Sequence, residues 1–327
     1  MNFMTFEKDL FGFDIPTPSK IEVNIYADES MDRKCPYTNN NWHYMCLIFE
    51  RVDRPLLDDL INERYCNNLD QTSPYFAKND KILHWTEIKN ADEINICKRW
   101  FQYILNPEKS SDKFYCYILG LNESFLSDDE FDKNQRFNSI YNRFFRSAIE
   151  YSLKCFWGNS EIVIKNIYHE QGQQKDYTYF PWHPIDKLQN KENNFKFETN
   201  EIQFLGKDHN ITEKANILQL CDCFLGAIVN LINGLENPES KQSQNKKKLL
   251  QLLLPLCKRM MQESDNPNSS YQHKNRIMIR FFPKGKTDKN SIQRSTNQFY
   301  TKRKLKFEED ITPNKQLTIW QFYLVTV

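Results

Sequence analysis

Strand-like apolar runs alternate with helix-period runs through most of the first 235 residues, and this alternation constrains the fold more than any other feature of the chain. Ile21–Ala27 (I-E-V-N-I-Y-A) reads as a strand that turns at Asp28-Glu29-Ser30. Trp42–Glu50 predicts a second strand, with a helix after it around Pro55–Leu69. His84–Lys89 (H-W-T-E-I-K) reads as a short extended piece before a helix over Glu93–Leu105, and Phe114–Leu121 as a strand of high β-propensity. Phe137, Ile140, Tyr141, Phe144, Phe145 and Ala148 recur at helical spacing and predict a long core-facing helix over Phe137–Trp157. Strand patterns follow at Glu161–Tyr168, which ends in His169-Glu170, and at Phe195–Leu205. The polar stretch between them, 171–194, holds Pro181 and Pro184 and reads as a long loop or insertion. Thr212–Asn233 carries an apolar stripe through Leu218, Leu225, Ile228 and Ile232, the mark of another helix. Alternation of this kind implies a three-layer α/β domain, a sheet between helices.

Beyond residue 235 the pattern changes. Pro238–Lys248 reads as a polar, lysine-rich connection, Leu249–Met261 as a buried helix kinked at Pro255, and Arg276–Phe282 and Gln316–Val327 as strands. The chain is therefore expected to divide into an N-terminal arm (1–20), an α/β domain (21–235) and a C-terminal appendage (236–327). The net charge of +1 hides a split near the same place: residues 1–273 carry −7 and residues 274–327 carry +8. Lys274–Lys306 holds 11 basic residues and a single acid, Asp288, with Phe299 and Tyr300 interleaved. Lysines and arginines such as Lys302, Arg303 and Lys304 suit contacts to phosphates while an aromatic stacks on a base. The same composition suits a solvated basic arm that balances an acidic body.

Glycine excludes several chemistries. The chain has only 8, and no two are closer than eight positions. A P-loop, a dinucleotide fingerprint and a nucleophile elbow each need glycines nearer together, so none is present. The nine cysteines lack zinc-finger spacing, and Cys221 and Cys223 fit a helical core. His183 and His209 have no partner spacing for zinc, and Trp42, Trp85, Trp100 and Trp157 fit packing better than ligand stacking. Met1–Lys20 lacks the apolar stretch of a signal peptide, and scattered cysteines fit reduced thiols, so a soluble cytoplasmic protein without a membrane span is expected.

The remaining chemistry lies in acids at the ends of elements, where α/β sheets gather working residues. Asp28 and Glu29 end the first strand, Glu170 ends another, and Glu87 sits in H-W-T-E-I-K. Asp222 interrupts an otherwise apolar helical run, with Gln219 one turn before it, and a carboxylate there needs solvent or a partner. Carboxylates that converge on one sheet edge are commonly held by Mg²⁺ or Mn²⁺, and a pair of such ions can activate water and stabilise a leaving oxygen. Taken singly, each acid is equally an ordinary cap, turn or surface residue.

I-Y-A-D-E-S at 25–30, followed by L-Q-L-C-D-C-F-L-G-A at 218–227, resembles the bacterial domain-of-unknown-function family 3800, an RNase H-like group. The resemblance spans about residues 20–235 and implies an RNase H-like fold and metal-dependent phosphodiester hydrolysis. It matches Asp28 and Glu29 to the opening acids, Asp222 to the closing one, Glu87 with Lys89 to a short E-x-K segment, and Glu170 to the acid after the middle strand. Met31 stands where glycine is common and implies an altered turn; Cys221 stands where alanine is common. His169 is a further candidate for proton transfer or Mn²⁺ ligation, although a satisfied structural histidine fits that position better.

The expected function is thus a Mg²⁺- or Mn²⁺-dependent nuclease. Asp28, Glu170 and Asp222 would be the metal ligands, Glu29 or Glu87 would complete the site, and Lys89 with Lys302, Arg303 and Lys304 would meet nucleic-acid phosphates. Two alternatives stand beside it: a binding module without turnover on a degenerate scaffold of the same type, and a hydrolase of small nucleotides.

Overall fold

The computed structural model describes residues 6–8, 14–16, 20–34, 41–126, 131, 136–158, 160–177, 179–191, 194–206, 214–263, 269–282 and 305–311. Phe6–Lys8 (β1) and Asp14–Pro16 (β2) form a small antiparallel pair. The main sheet has seven strands. At its centre Lys20–Lys34 (β3) pairs antiparallel with Asn41–Arg51 (β4), and β4 pairs antiparallel with Tyr115–Asn122 (β5). On the other side of β3, Glu161–Glu170 (β6) runs parallel to it, and both Phe195–Phe197 (β7) and Gln203–Leu205 (β8) run parallel to β6. Ile277–Phe282 (β9) adds a parallel edge beyond β5. Continuous apolar runs make the middle strands central: every residue of β5 is buried, as is β4 from Trp42 to Glu50.

Helices cover both faces. On one lie Leu57–Tyr65 (α1), Ala91–Leu105 (α3), Ala215–Asn233 (α7) and Lys241–Glu263 (α8), packed on Tyr26, Tyr44, Cys46, Ile48 and Ile118. The short helices Pro74–Asn79 (α2) and Pro107–Ser110 (α4) flank α3. On the other face, Arg136–Trp157 (α5) and His183–Lys191 (α6) pack on Ile25, Ala27, Met45, Leu47 and Ile167. Lys306–Ile311 (α9) packs against α7. The expected three-layer α/β arrangement is the one observed. α7 is long and apolar enough to cross a membrane by length and hydropathy, and 94% of that window is buried within the protein.

Several local expectations need correction. Asp28-Glu29-Ser30 is not a turn: β3 runs on to Lys34, and these three residues pair with Cys46, Met45 and Tyr44, with a register shift only between Ser30 and Arg33. Met31 lies within that irregularity rather than in a turn. His84–Lys89 is a turn rather than an extended piece, and Phe195–Leu205 is two short strands. Stretch 171–194 is not all loop, because it holds a 3-10 turn at Gln173–Asp176 and α6, whose Ile185 and Leu188 enter the core. The lysine-rich connection becomes helix at Lys241, and α8 continues through Pro255. α8 joins the helical layer of α3 and α7, and β9 extends the same sheet. The strand expected at Gln316–Val327 lies outside the described residues.

Candidate active site

Side chains alternate along a strand, so Asp28 and Glu29 leave β3 on opposite faces. Tyr26, two residues before Asp28, belongs to the α7 face and stacks on Tyr168 of β6 with ring centres 5.1 Å apart. The parallel register pairs Tyr26 with Tyr168 and Ala27 with His169. Asp28 and Glu170 are each one residue further, so the two carboxylates stand at neighbouring strand ends on the α7 face. Asp28 is buried, at 2% exposure, and its Oδ1 accepts the Glu29 backbone N–H at 2.7 Å; Glu170 is partly exposed. Lys214, just before α7, sets its ammonium over the Tyr168 ring and hydrogen-bonds that residue's hydroxyl. Beneath, buried Glu50 accepts from Tyr26 Oη at 3.0 Å and from the N–H groups of Leu56 and Leu57, which anchors the start of α1.

Glu29 enters a different environment, facing α5. Its Oε2 lies 3.2 Å from Tyr141 Oη and 3.3 Å from His169 Nε2, and Gln174 donates an amide hydrogen to its Oε1. Tyr141 Oη is 2.7 Å from His169 Nε2, and His169 Nδ1 is 2.7 Å from the Glu170 carbonyl oxygen. That last contact places a histidine proton on Nδ1, since a carbonyl oxygen only accepts. The Tyr141 hydroxyl donates to Glu29 Oε2, so tyrosine, histidine and carboxylate share one buried cluster. Burial raises the Glu29 pKa and the nearby Glu170 carboxylate adds to the rise, while His169, Tyr141 and Gln174 oppose it. Tyr141 is likewise pushed well up, by burial first and then by the adjacent Glu29. Glu29 is thus held in a buried network with Tyr141, His169 and Gln174 on the α5 side of β3. His169, which the sequence reads first as a satisfied structural histidine and second as a base or ligand, is fully buried in that network.

Asp222 has a structural partner. Its Oδ2 accepts the Trp85 backbone N–H at 2.6 Å and lies 3.6 Å from His84 Nδ1. One turn earlier Gln219 Oε1 accepts from Leu83 N–H at 3.0 Å and from the buried guanidinium of Arg64 at 2.7 Å. Two turns later Asn230 accepts from Trp85 Nε1 at 2.7 Å. Between them a Cβ at Gly226 would run into the Trp85 side chain, so the indole lies directly on the glycine backbone. The stripe Gln219, Asp222, Gly226 and Asn230 on α7 thus grips residues 83–85. From the other side α8 holds the same segment, with Gln242 donating to Thr86 O at 2.6 Å and Asn245 to Lys89 O at 3.1 Å.

Glu87 and Lys89 are exposed on this gripped turn. Lys302, Arg303 and Lys304 lie outside the described residues. Cys221 and Cys223 are buried core residues, as expected. Among the described residues no group of three His, Cys, Asp or Glu side chains is arranged to hold a metal ion. The expected triad of Asp28, Glu170 and Asp222 is therefore not a closed cage: Asp28 and Glu170 are neighbours by register, and Asp222 is turned to the 84–85 backbone. Comparison with models of known families, with curated proteins and with solved structures finds no match to this chain.

Sequence reasoning missed Tyr141, Gln174, Gln219's acceptor role, Glu50 and Lys214. Tyr141 was visible only as one apolar position of a helix.

Proposed function

We propose that this protein is a divalent-metal-dependent nuclease built on an RNase H-like domain, with its working face at the ends of β3 and β6 beneath α7. The observation that carries the reading is the neighbouring position of Asp28 and Glu170. The strand order supports it: β5-β4-β3-β6-β7, with only β4 opposed to the rest, matches the arrangement of RNase H-like sheets. The sequence resemblance to the bacterial family 3800 at Asp28 and Asp222 points the same way.

A pair of carboxylates suits Mg²⁺, which is commonly held by one or two carboxylates together with substrate phosphates rather than by an all-protein cage. Asp28 and Glu170 would hold the ion, which when bound supplies polarisation of a phosphoryl oxygen and an activated water. The protein's own residues do the rest. Asp28 is fixed by the Glu29 N–H, Asp222 holds the turn that carries Glu87 and Lys89, and Lys214 and Lys89 offer positive charge to phosphates.

Calorimetric titration of Mn²⁺ in the presence of a non-cleavable oligonucleotide tests this. Binding to wild type that is lost in both Asp28→Asn and Glu170→Gln is the expected result. Binding that Asp28→Asn leaves intact contradicts it. The engagement of Asp222 with Trp85 favours a second reading, a nucleic-acid-binding module without turnover; no Mn²⁺ binding to wild type, with salt-sensitive oligonucleotide binding retained, decides for that.

A further inference from the structure

A cleft of about 110 Å³ opens between the gripped turn, the end of α7 and the first turns of α8, with Trp85, Thr86, Arg33, Ser243 and Lys246 among its walls. Lys246 is its unusual member. The residue is 6% exposed, and its ammonium sits 4.9 Å from the centre of the Trp85 ring. Among the described residues no carboxylate, carbonyl or hydroxyl hydrogen-bonds to it, and it lines the cleft. Burial depresses its pKa, an effect that Asp222 and Glu236 oppose from a distance. An ammonium held on the Trp85 ring with no hydrogen-bond acceptor at the wall of the cleft is placed to take an anion there.

Two further features point the same way. Ser240 caps α8: its hydroxyl accepts the Ser243 N–H at 3.1 Å and its carbonyl accepts the Gln244 N–H at 2.9 Å. The N–H groups of Lys241 and Gln242 then have no intrahelical acceptor, and the positive end of a 23-residue helix dipole points into the cleft. Arg33 contributes a guanidinium that pairs with Glu236, so the wall carries two cations and one carboxylate. The volume suits a group of phosphate size.

We propose that this cleft binds a phosphate group through Lys246, Arg33 and the first turn of α8. The inference concerns binding, and it stands whether or not Asp28 and Glu170 cleave anything. Arg33 lies beyond Asp28 on β3, opposite Trp42 where Asp28 is opposite Cys46, about 13 Å along the strand, so one nucleic-acid strand can reach both places. The phosphate is either a backbone phosphate of such a strand or a free or terminal one.

The test uses the full chain in EDTA. Inorganic phosphate, a mononucleotide and a labelled single-stranded oligonucleotide are titrated into wild type, Lys246→Met, Lys246→Arg and Arg33→Gln. Lys246→Met keeps the alkyl stem against Trp85, and circular dichroism checks its fold. The expected result is an affinity loss of about tenfold in Lys246→Met, recovery in Lys246→Arg and a smaller loss in Arg33→Gln. For the oligonucleotide, the slope of log affinity against log salt falls by about one in Lys246→Met. Competition by inorganic phosphate identifies a free or terminal phosphate as the ligand; oligonucleotide binding without such competition identifies a backbone phosphate. Wild-type affinity in Lys246→Met, or no binding of any of the three probes to wild type, overturns the proposal. If Lys246→Met fails to fold, an Arg33→Gln variant with unchanged affinity overturns it instead.

Discussion

Asp28 and Glu29 are adjacent in sequence and belong to two different environments. Asp28 faces α7 and stands beside Glu170 at the mouth of two parallel strands. Glu29 faces α5, where Tyr141, His169 and Gln174 enclose it. The same residue chemistry one step along a strand thus yields a candidate site on one side and an internal hydrogen-bond network on the other. Adjacency in a strand separates side chains rather than uniting them, because the alternation sends each to its own layer.

The comparison can be broken at several points. The largest stability effect is expected on the α7 face, where Trp85→Ala removes an indole packed on Gly226 and bonded to Asn230; a loss of about 4 kcal/mol in denaturant unfolding is expected. On the α5 face, Tyr141→Phe strips the shared hydroxyl from Glu29 and His169 and is expected to cost about 2 kcal/mol. Asp222→Asn keeps an oxygen for the Trp85 N–H and is expected to cost about 1 kcal/mol. If the same substitution abolishes cleavage without further loss of stability, Asp222 acts on the substrate side as well as on the turn.

The smallest effect is a pH dependence. Burial raises Glu29 above its ordinary value of 4.5, so the folded protein holds that proton more tightly than the unfolded chain does. Its stabilising contribution is complete below the unfolded value and is lost as pH rises toward the raised folded value. Glu29→Gln mimics the protonated form, so its stability relative to wild type should increase as pH rises from about 4.5, measured by urea unfolding at a series of pH values. A constant difference across that range would mean that Glu29 is ionised in the folded protein.

Much of the architecture was legible because the central strands and the long helices carry their own patterns. β4, β5, α5 and α7 follow from apolar runs and helical stripes, since each buries a continuous face against a neighbouring layer. His84–Lys89 was misread because its shape comes from Gln219, Asp222, Gln242 and Asn245, residues far away in sequence. The first turns of α8 were read as a connection because their lysines and glutamines hide the helical period; Lys246, buried on Trp85, was concealed in that run. The acids at 28, 170 and 222 were legible as candidates. Which of them share a face was not, because that depends on register and on Tyr141, 112 residues from Glu29.

The central claim is that the α7 face, and not the α5 face, does chemistry. Its most direct test is cleavage of labelled DNA and RNA, single- and double-stranded, by wild type, Asp28→Asn and Glu29→Gln with Mg²⁺ or Mn²⁺. Wild type and Glu29→Gln should cleave at rates within a few-fold of each other, while Asp28→Asn should lose more than about 100-fold. Full activity in Asp28→Asn, an equal loss in Glu29→Gln, or no cleavage by wild type would each contradict the account.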